Sequence, residues 1–151
     1  MGRRVKIRLR IPLKLPYKNE LTPSYDKSAF FRYMGVKREW EQAIPKAQEH
    51  QRALGARRLT IVRLMTSRER PFDTGNVYYA VAAIIDIVAH KGYLVDDTPD
   101  LLDLEKPVQR RAVGDEVAPS TYIEIEDLDG PAVLTGALPG VDWPVRTRRR
   151  T

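Results

Sequence analysis

A chain of 151 residues with no cysteine and a formal net charge of +6 is long enough to close one hydrophobic core, and it has no thiol for a disulfide framework, a thiolate zinc site or a cysteine nucleophile. Its cationic N-terminus alternates with apolar residues, and the longest apolar run, residues 77–85, falls well short of the ~20 residues that span a bilayer. The expectation is a soluble, cytoplasmic protein of one domain, with no membrane partner.

The charge is segregated along the chain. Residues 1–72 carry 18 Lys+Arg against 6 Asp+Glu, residues 73–145 carry 4 against 14, and residues 146–151 add four arginines. A basic half beside an acidic half suits a protein that holds a polyanion with one surface and a metal cation with another. Solvated faces of opposite sign would leave the same bias.

In chain order, RRVKIRLRIPLKL alternates Val5, Ile7, Leu9, Ile11 and Leu13 with Arg4, Lys6, Arg8 and Arg10, the period of a half-buried strand. Same-face neighbours lie ~6.7 Å apart on a strand, so Lys6, Arg8 and Arg10 are candidate DNA contacts able to track successive phosphates. A solvated edge strand that repels other edges is the alternative. Residues 16–23 read as loop.

MGVKREWEQAIPKAQEHQRAL, residues 34–54, reads as a helix with Val36, Trp40, Ile44 and Ala47 at helical spacing, kinked or broken at Pro45. RRLTIVRLM, residues 57–65, has apolar residues on both faces, which predicts a central strand. A second helix is predicted over residues 74–90, with Asp73 or Thr74 as N-cap and His90, Lys91 and Gly92 as the stop. Its circumference is apolar enough to predict burial nearly all round, with a dimer partner as one cover. DLLDLEKPV and STYIEIE read as two short strands around a turn-prone VGDEVAP. The pattern is a single α/β domain over residues 1–128, a mixed sheet in β-α-β-α-β-β order with helices packed on it. Residues 129–151 are expected to be irregular, ending in a basic tail that either reaches nucleic acid or only confers solubility.

The block from Arg70 to Asp97 carries the chemistry. Arginines at 68 and 70, then Asp73 and Asn76, Asp86, Gly92, and Asp96 with Asp97 follow the order and spacing of the RusA-like Holliday-junction resolvases of phages and prophages. The chain resembles that family over roughly residues 57–104, including the preceding strand and Thr98-Pro99. The resemblance implies a homodimeric endonuclease that binds branched DNA and uses magnesium, with Asp73 and Asp97, aided by Asp96, as catalytic metal ligands. Arg68, Arg70 and Asn76 then become DNA contacts. Two positions depart from the pattern: Gly75 stands where the family has a second carboxylate, and Ala82 where it has a lysine that would pair with Asp86 at i,i+4.

Carboxylates are what such chemistry wants, because a metal they hold makes water nucleophilic and neutralises the departing oxygen. Neither His50 nor His90 lies in a metal or triad spacing. A helix of 17 residues is ~25 Å long, so Asp97 meets Asp73 only if residues 92–97 double back along it, a reach of ~20 Å. The stripped positions also fit a junction-binding protein that has lost cleavage. A protein-interaction module whose charges only confer solubility is the third reading. Singly, Asp73 is also a plain N-cap, Gly92 a C-cap, and Asp96 with Asp97 a solvated turn.

Overall fold

A computed structural model describes residues 4–16 and 27–128, with side chains described from residue 31 onward in the first helix. The basic tail and most of the loop expected at residues 16–23 lie outside the described residues. The elements run β1 (Lys6–Ile11), α1 (Lys27–Ala43), a 3-10 turn (Glu49–Gln51), β2 (Arg57–Met65), α2 (Thr74–His90), β3 (Leu102–Leu104), β4 (Val108–Arg111) and β5 (Ser120–Asp127). No described helix is long and apolar enough to cross a membrane.

The strands form one mixed sheet. β5 is antiparallel to β1 on one side and to β2 on the other, while β3 and β4 both run parallel to β2 along its remaining edge. β2 is therefore internal, as its two apolar faces predict. Leu59 and Ile61 face the helices together with Ile7, Leu9, Ile11, Ile123 and Ile125, and against them pack Val77, Val81, Ile84 and Val88 of α2 and Trp40 of α1. Val62 and Leu64 point the other way and are buried with Tyr122 beneath Ala118.

The fold class is α/β with helices on a mixed sheet, and three features differ from the expectation. DLLDLEKPV is not one strand. Residues 105–107 interrupt it, because Pro107 has no N–H to give to β2, and the two pieces pair separately with Arg57–Leu59 and with residues 62–65. The first helix begins at Lys27 and stops at Ala43, ahead of Pro45, so the helical spacing read through residue 54 continues only as a 3-10 turn.

Nor is α2 buried all round. Val77, Ala80, Val81, Ile84, Ile85, Ile87 and Val88 are buried, but Gly75, Tyr78, Tyr79, Ala82 and Asp86 face solvent within the chain. A helix lying as one layer on a sheet hides only the side it turns to the strands. Its ends are as expected: Asp73 caps the start, and Gly92 at φ +99° ends the helix in a conformation that favours glycine.

Two arginines sit on the core side of β2, at the parity of Leu59 and Ile61. Arg57 is 1% exposed and Arg63 2%. Arg57 Nε donates to Asp127 Oδ1 (2.8 Å), and its Nη1 donates to the carbonyls of Gln51 (2.6 Å) and Tyr93 (2.9 Å). Buried charge is tolerated only when paired and hydrogen-bonded, and here the pairing ties β2, the 3-10 turn, the end of α2 and β5 into one node.

Candidate functional site

The sequence-predicted residues fall into three places. The first is the start of α2. Asp73 Oδ1 accepts the Asn76 N–H at 2.9 Å, satisfying one of the helix's otherwise unpartnered first-turn donors. Arg68 and Arg70 are exposed on the loop that delivers Asp73. A Cβ on Gly75 would stand 3.6 Å from Asp73 Oδ1 and, its chain neighbours and the helix backbone apart, would meet no other heavy atom within 4 Å. A carboxylate at 75 would fit there, immediately beside that of Asp73.

That loop is held from below by residues the sequence did not single out. Gln109 on β4 pairs with the Phe72 backbone, accepting its N–H (2.8 Å) and donating Nε2–H to its carbonyl (3.0 Å). Arg63 Nη1 donates to Gln109 Oε1 (2.9 Å) and to the Arg70 carbonyl (3.0 Å), and its guanidinium lies 3.7 Å from the centre of the Phe72 ring. Glu69 faces Arg63 Nη2 at 3.4 Å and accepts the Thr66 N–H at 2.8 Å, while Arg111 donates to the Glu69 carbonyl at 2.9 Å. The one legible signal was Arg63, a charge at the core parity of a central strand.

The second place is a shallow groove of about 320 Å³ beside the middle of α2, lined by Ala82, Ile85, Asp86, Asp97, Pro99, Leu102 and Leu104. The chain after Gly92 does turn back along the helix, and it brings Asp97 to Asp86 and Ala82. Asp96 Oδ1 accepts the Asp97 N–H at 2.7 Å. The Asp97 carboxyl is raised from its ordinary value, first by its side-chain hydrogen bond with Asp96, then by partial burial and by the charges of Asp96 and Asp86.

The start of α2 and the groove are separate within one chain. Ala82 stands nine positions beyond Asp73, roughly 13 Å up the axis at 1.5 Å per residue. Asp73 does not line the groove that Asp97 lines. Among the described residues, no group of three or more His, Asp or Glu side chains is arranged to hold a metal ion. The expected gathering of Asp73, Asp96 and Asp97 around one cation is thus not seen in the single chain: the return loop climbs only as far as the middle of the helix.

The third place is the open face of the sheet, where the cationic row of β1 lies. Cross-strand acids engage it. Arg8 meets Glu124 at 2.6 Å, Lys6 meets Glu126 at 3.9 Å, and Glu126 is shared with Arg58, which also bonds Asp103 at 2.9 Å. Arg8 and Arg10 both lie over the Tyr122 ring, at 5.1 and 5.7 Å. Lys6 and Arg8 are therefore rungs of a ladder of alternating charge, which the spacing of β1 alone could not reveal. Compared with known proteins, the chain matches no family model and no curated protein.

Proposed function

We propose that this protein binds branched DNA, four-way junctions foremost, as a RusA-like homodimer in which cleavage has been lost. The observation that carries the reading is the state of α2's exposed stripe: the family's carboxylate and lysine positions are Gly75 and Ala82, both open to solvent, and Asp73 is engaged as a helix cap instead of meeting Asp97. The DNA-facing surface is the loop with Arg68 and Arg70, with Asn76 beside it. Both arginines are exposed, and guanidinium groups suit phosphate oxygens.

A second reading has its own support. The excess negative charge around Asp97 is what a divalent cation would relieve, so a magnesium-dependent endonuclease follows if a second copy of the chain completes the ligand set. Incubation of the purified protein with a synthetic four-way junction, with and without magnesium, separates the two. Salt-sensitive binding without cleavage is expected. Magnesium-dependent cleavage abolished by Asp97→Asn would install the second reading, and the absence of salt-sensitive binding would defeat both in favour of a protein-interaction module.

A further inference from the structure

The loop that carries Arg68 and Arg70 has no regular structure of its own, yet its backbone is fixed from the far side of the sheet edge. Gln109 comes from β4, 37 positions along the chain from Phe72. Its carboxamide completes with Phe72 the two-bond pairing that a neighbouring strand would make, and its Oε1 serves two donors at once, the Phe72 N–H and Arg63 Nη1. Arg63 in turn reaches the Arg70 carbonyl and covers the Phe72 ring. One amide thus fixes both the residue before the helix cap and, through Arg63, the peptide that carries Arg70.

We infer that Gln109 is a positioning residue for nucleic-acid binding: seated on Arg63, it sets the course of residues 69–72 and so the direction in which Arg68 and Arg70 are presented. This deepens the branched-DNA reading and rests on it. The physical reason is preorganisation. A loop already held in its bound course loses less conformational freedom when two arginines engage phosphates, whereas a freed loop spends part of that interaction on ordering itself. Gln109 suits the task because a carboxamide offers donor and acceptor together in one plane, matching a backbone N–H and C=O at once.

The test uses the full chain and three variants. Gln109→Met keeps the volume and removes every side-chain hydrogen bond, Gln109→Glu keeps the two accepted bonds but sets a carboxylate oxygen against the Phe72 carbonyl, and Val62→Ala lowers stability from the opposite face of the sheet without touching the loop. Amide hydrogen exchange at Phe72 and trypsin cleavage after Arg68 report the loop, and a four-way junction titrated at fixed salt reports binding. For Gln109→Met the expectation is about tenfold faster exchange and cleavage at the loop, the scale of losing hydrogen bonds of ordinary net strength, together with about tenfold weaker junction binding. Gln109→Glu, which keeps the bonds from the Phe72 N–H and from Arg63, should recover part of the loop's protection.

Unchanged exchange at Phe72 in a folded Gln109→Met protein would overturn the inference. So would a freed loop with undiminished junction affinity, or an equal loss of affinity in Val62→Ala, which would make the effect one of global stability. If the unaltered protein fails to bind the junction, the functional reading fails instead, and the exchange data still decide whether Gln109 fixes the loop.

Discussion

Ala82 and Asp97 line one groove, with Asp86 a single helical turn beyond Ala82 on the same exposed stripe. No cationic side chain among the described residues lines that groove, and the Asp97 carboxyl is raised first by its side-chain hydrogen bond with Asp96, then by partial burial and neighbouring negative charge. Because the folded pKa of Asp97 lies above its unfolded value, the native state binds more protons than the unfolded chain across that range. Stability should therefore fall as pH rises through the ordinary carboxylate range and beyond. Asp97→Asn should flatten this limb and be at least as stable as the unaltered protein at pH 7, the difference shrinking in high salt because the group is exposed. Denaturation midpoints between pH 4 and 7 at two salt concentrations check it, and a steeper fall in the variant would contradict the assignment.

The empty space at Gly75 makes a second prediction. With the added Cβ 3.6 Å from Asp73 Oδ1, Gly75→Asp should place two carboxylates side by side in the first turn of α2, where the helix dipole favours negative charge. Gain of divalent-ion binding is expected. It would be read as selective broadening of the Asp73 and Asn76 amide resonances by manganese, which the unaltered protein should not show at the same concentration.

Arg68 and Arg70 differ from Lys6 and Arg8 of β1 in that no described acidic side chain forms an ion pair with either. The double variant Arg68→Ala/Arg70→Ala should weaken junction binding for all sequences alike and reduce the slope of log affinity against log salt by roughly 2, about one for each phosphate that is no longer neutralised. Lys6→Ala should change that slope little, since Glu126 already engages the ammonium. A larger effect from Lys6 than from the arginine pair would move the DNA path to the open face of the sheet.

Arg57 should be costly to lose. Arg57→Met strands the Asp127 carboxylate and the carbonyls of Gln51 and Tyr93 at a node built on an almost fully buried guanidinium, and about 3–5 kcal/mol of stability should go with it, the scale of breaking a buried ion pair from one side. Urea denaturation measures this, and a loss under ~1 kcal/mol would show that water replaces the guanidinium readily, on the scale of an exposed pair.

Glu116 governs the acid limb of another region. Its two oxygens take both terminal nitrogens of Arg110, at 2.7 and 2.9 Å, and one of them also accepts the Val113 N–H. These bonds lower its pKa to about 2. The stabilisation is fully present above the ordinary carboxylate pKa and drains away as pH falls from there toward 2. In Glu116→Gln that part of the acid sensitivity should vanish. Urea denaturation midpoints of the two proteins, compared as pH falls through the carboxylate range, measure it.

Much of this architecture was legible in the sequence because periodicity reports burial. Alternation marked β1 and β5, the two apolar faces assigned β2 its central place, and Asp73 and Gly92 marked both ends of α2 through capping chemistry. Pro107 was visible, but one proline near the end of a short apolar stretch does not say whether a strand ends or resumes. The start of α1 was hidden because residues 27–33 mix charge with aromatic side chains. For the candidate site, the resemblance singled out Asp73, Asp86 and Asp97, while the placement of Asp97 beside Asp86 and away from Asp73 depended on how far the loop after Gly92 climbs, a tertiary property. The partners of Arg57, Arg63 and Gln109 were out of reach for the same reason: they are made by the fold, from Asp127 to Phe72.

The break at residues 105–107 has a meaning beyond pairing. The margin of the sheet past β2 is offered as pieces of three and four residues, too short to template a strand from a neighbouring molecule, and Arg111 adds a positive charge to the longer piece. An uninterrupted margin would recruit such strands. At high concentration the protein should resist growth into fibrils from that side, and restoring continuity at position 107 would be expected to forfeit the protection.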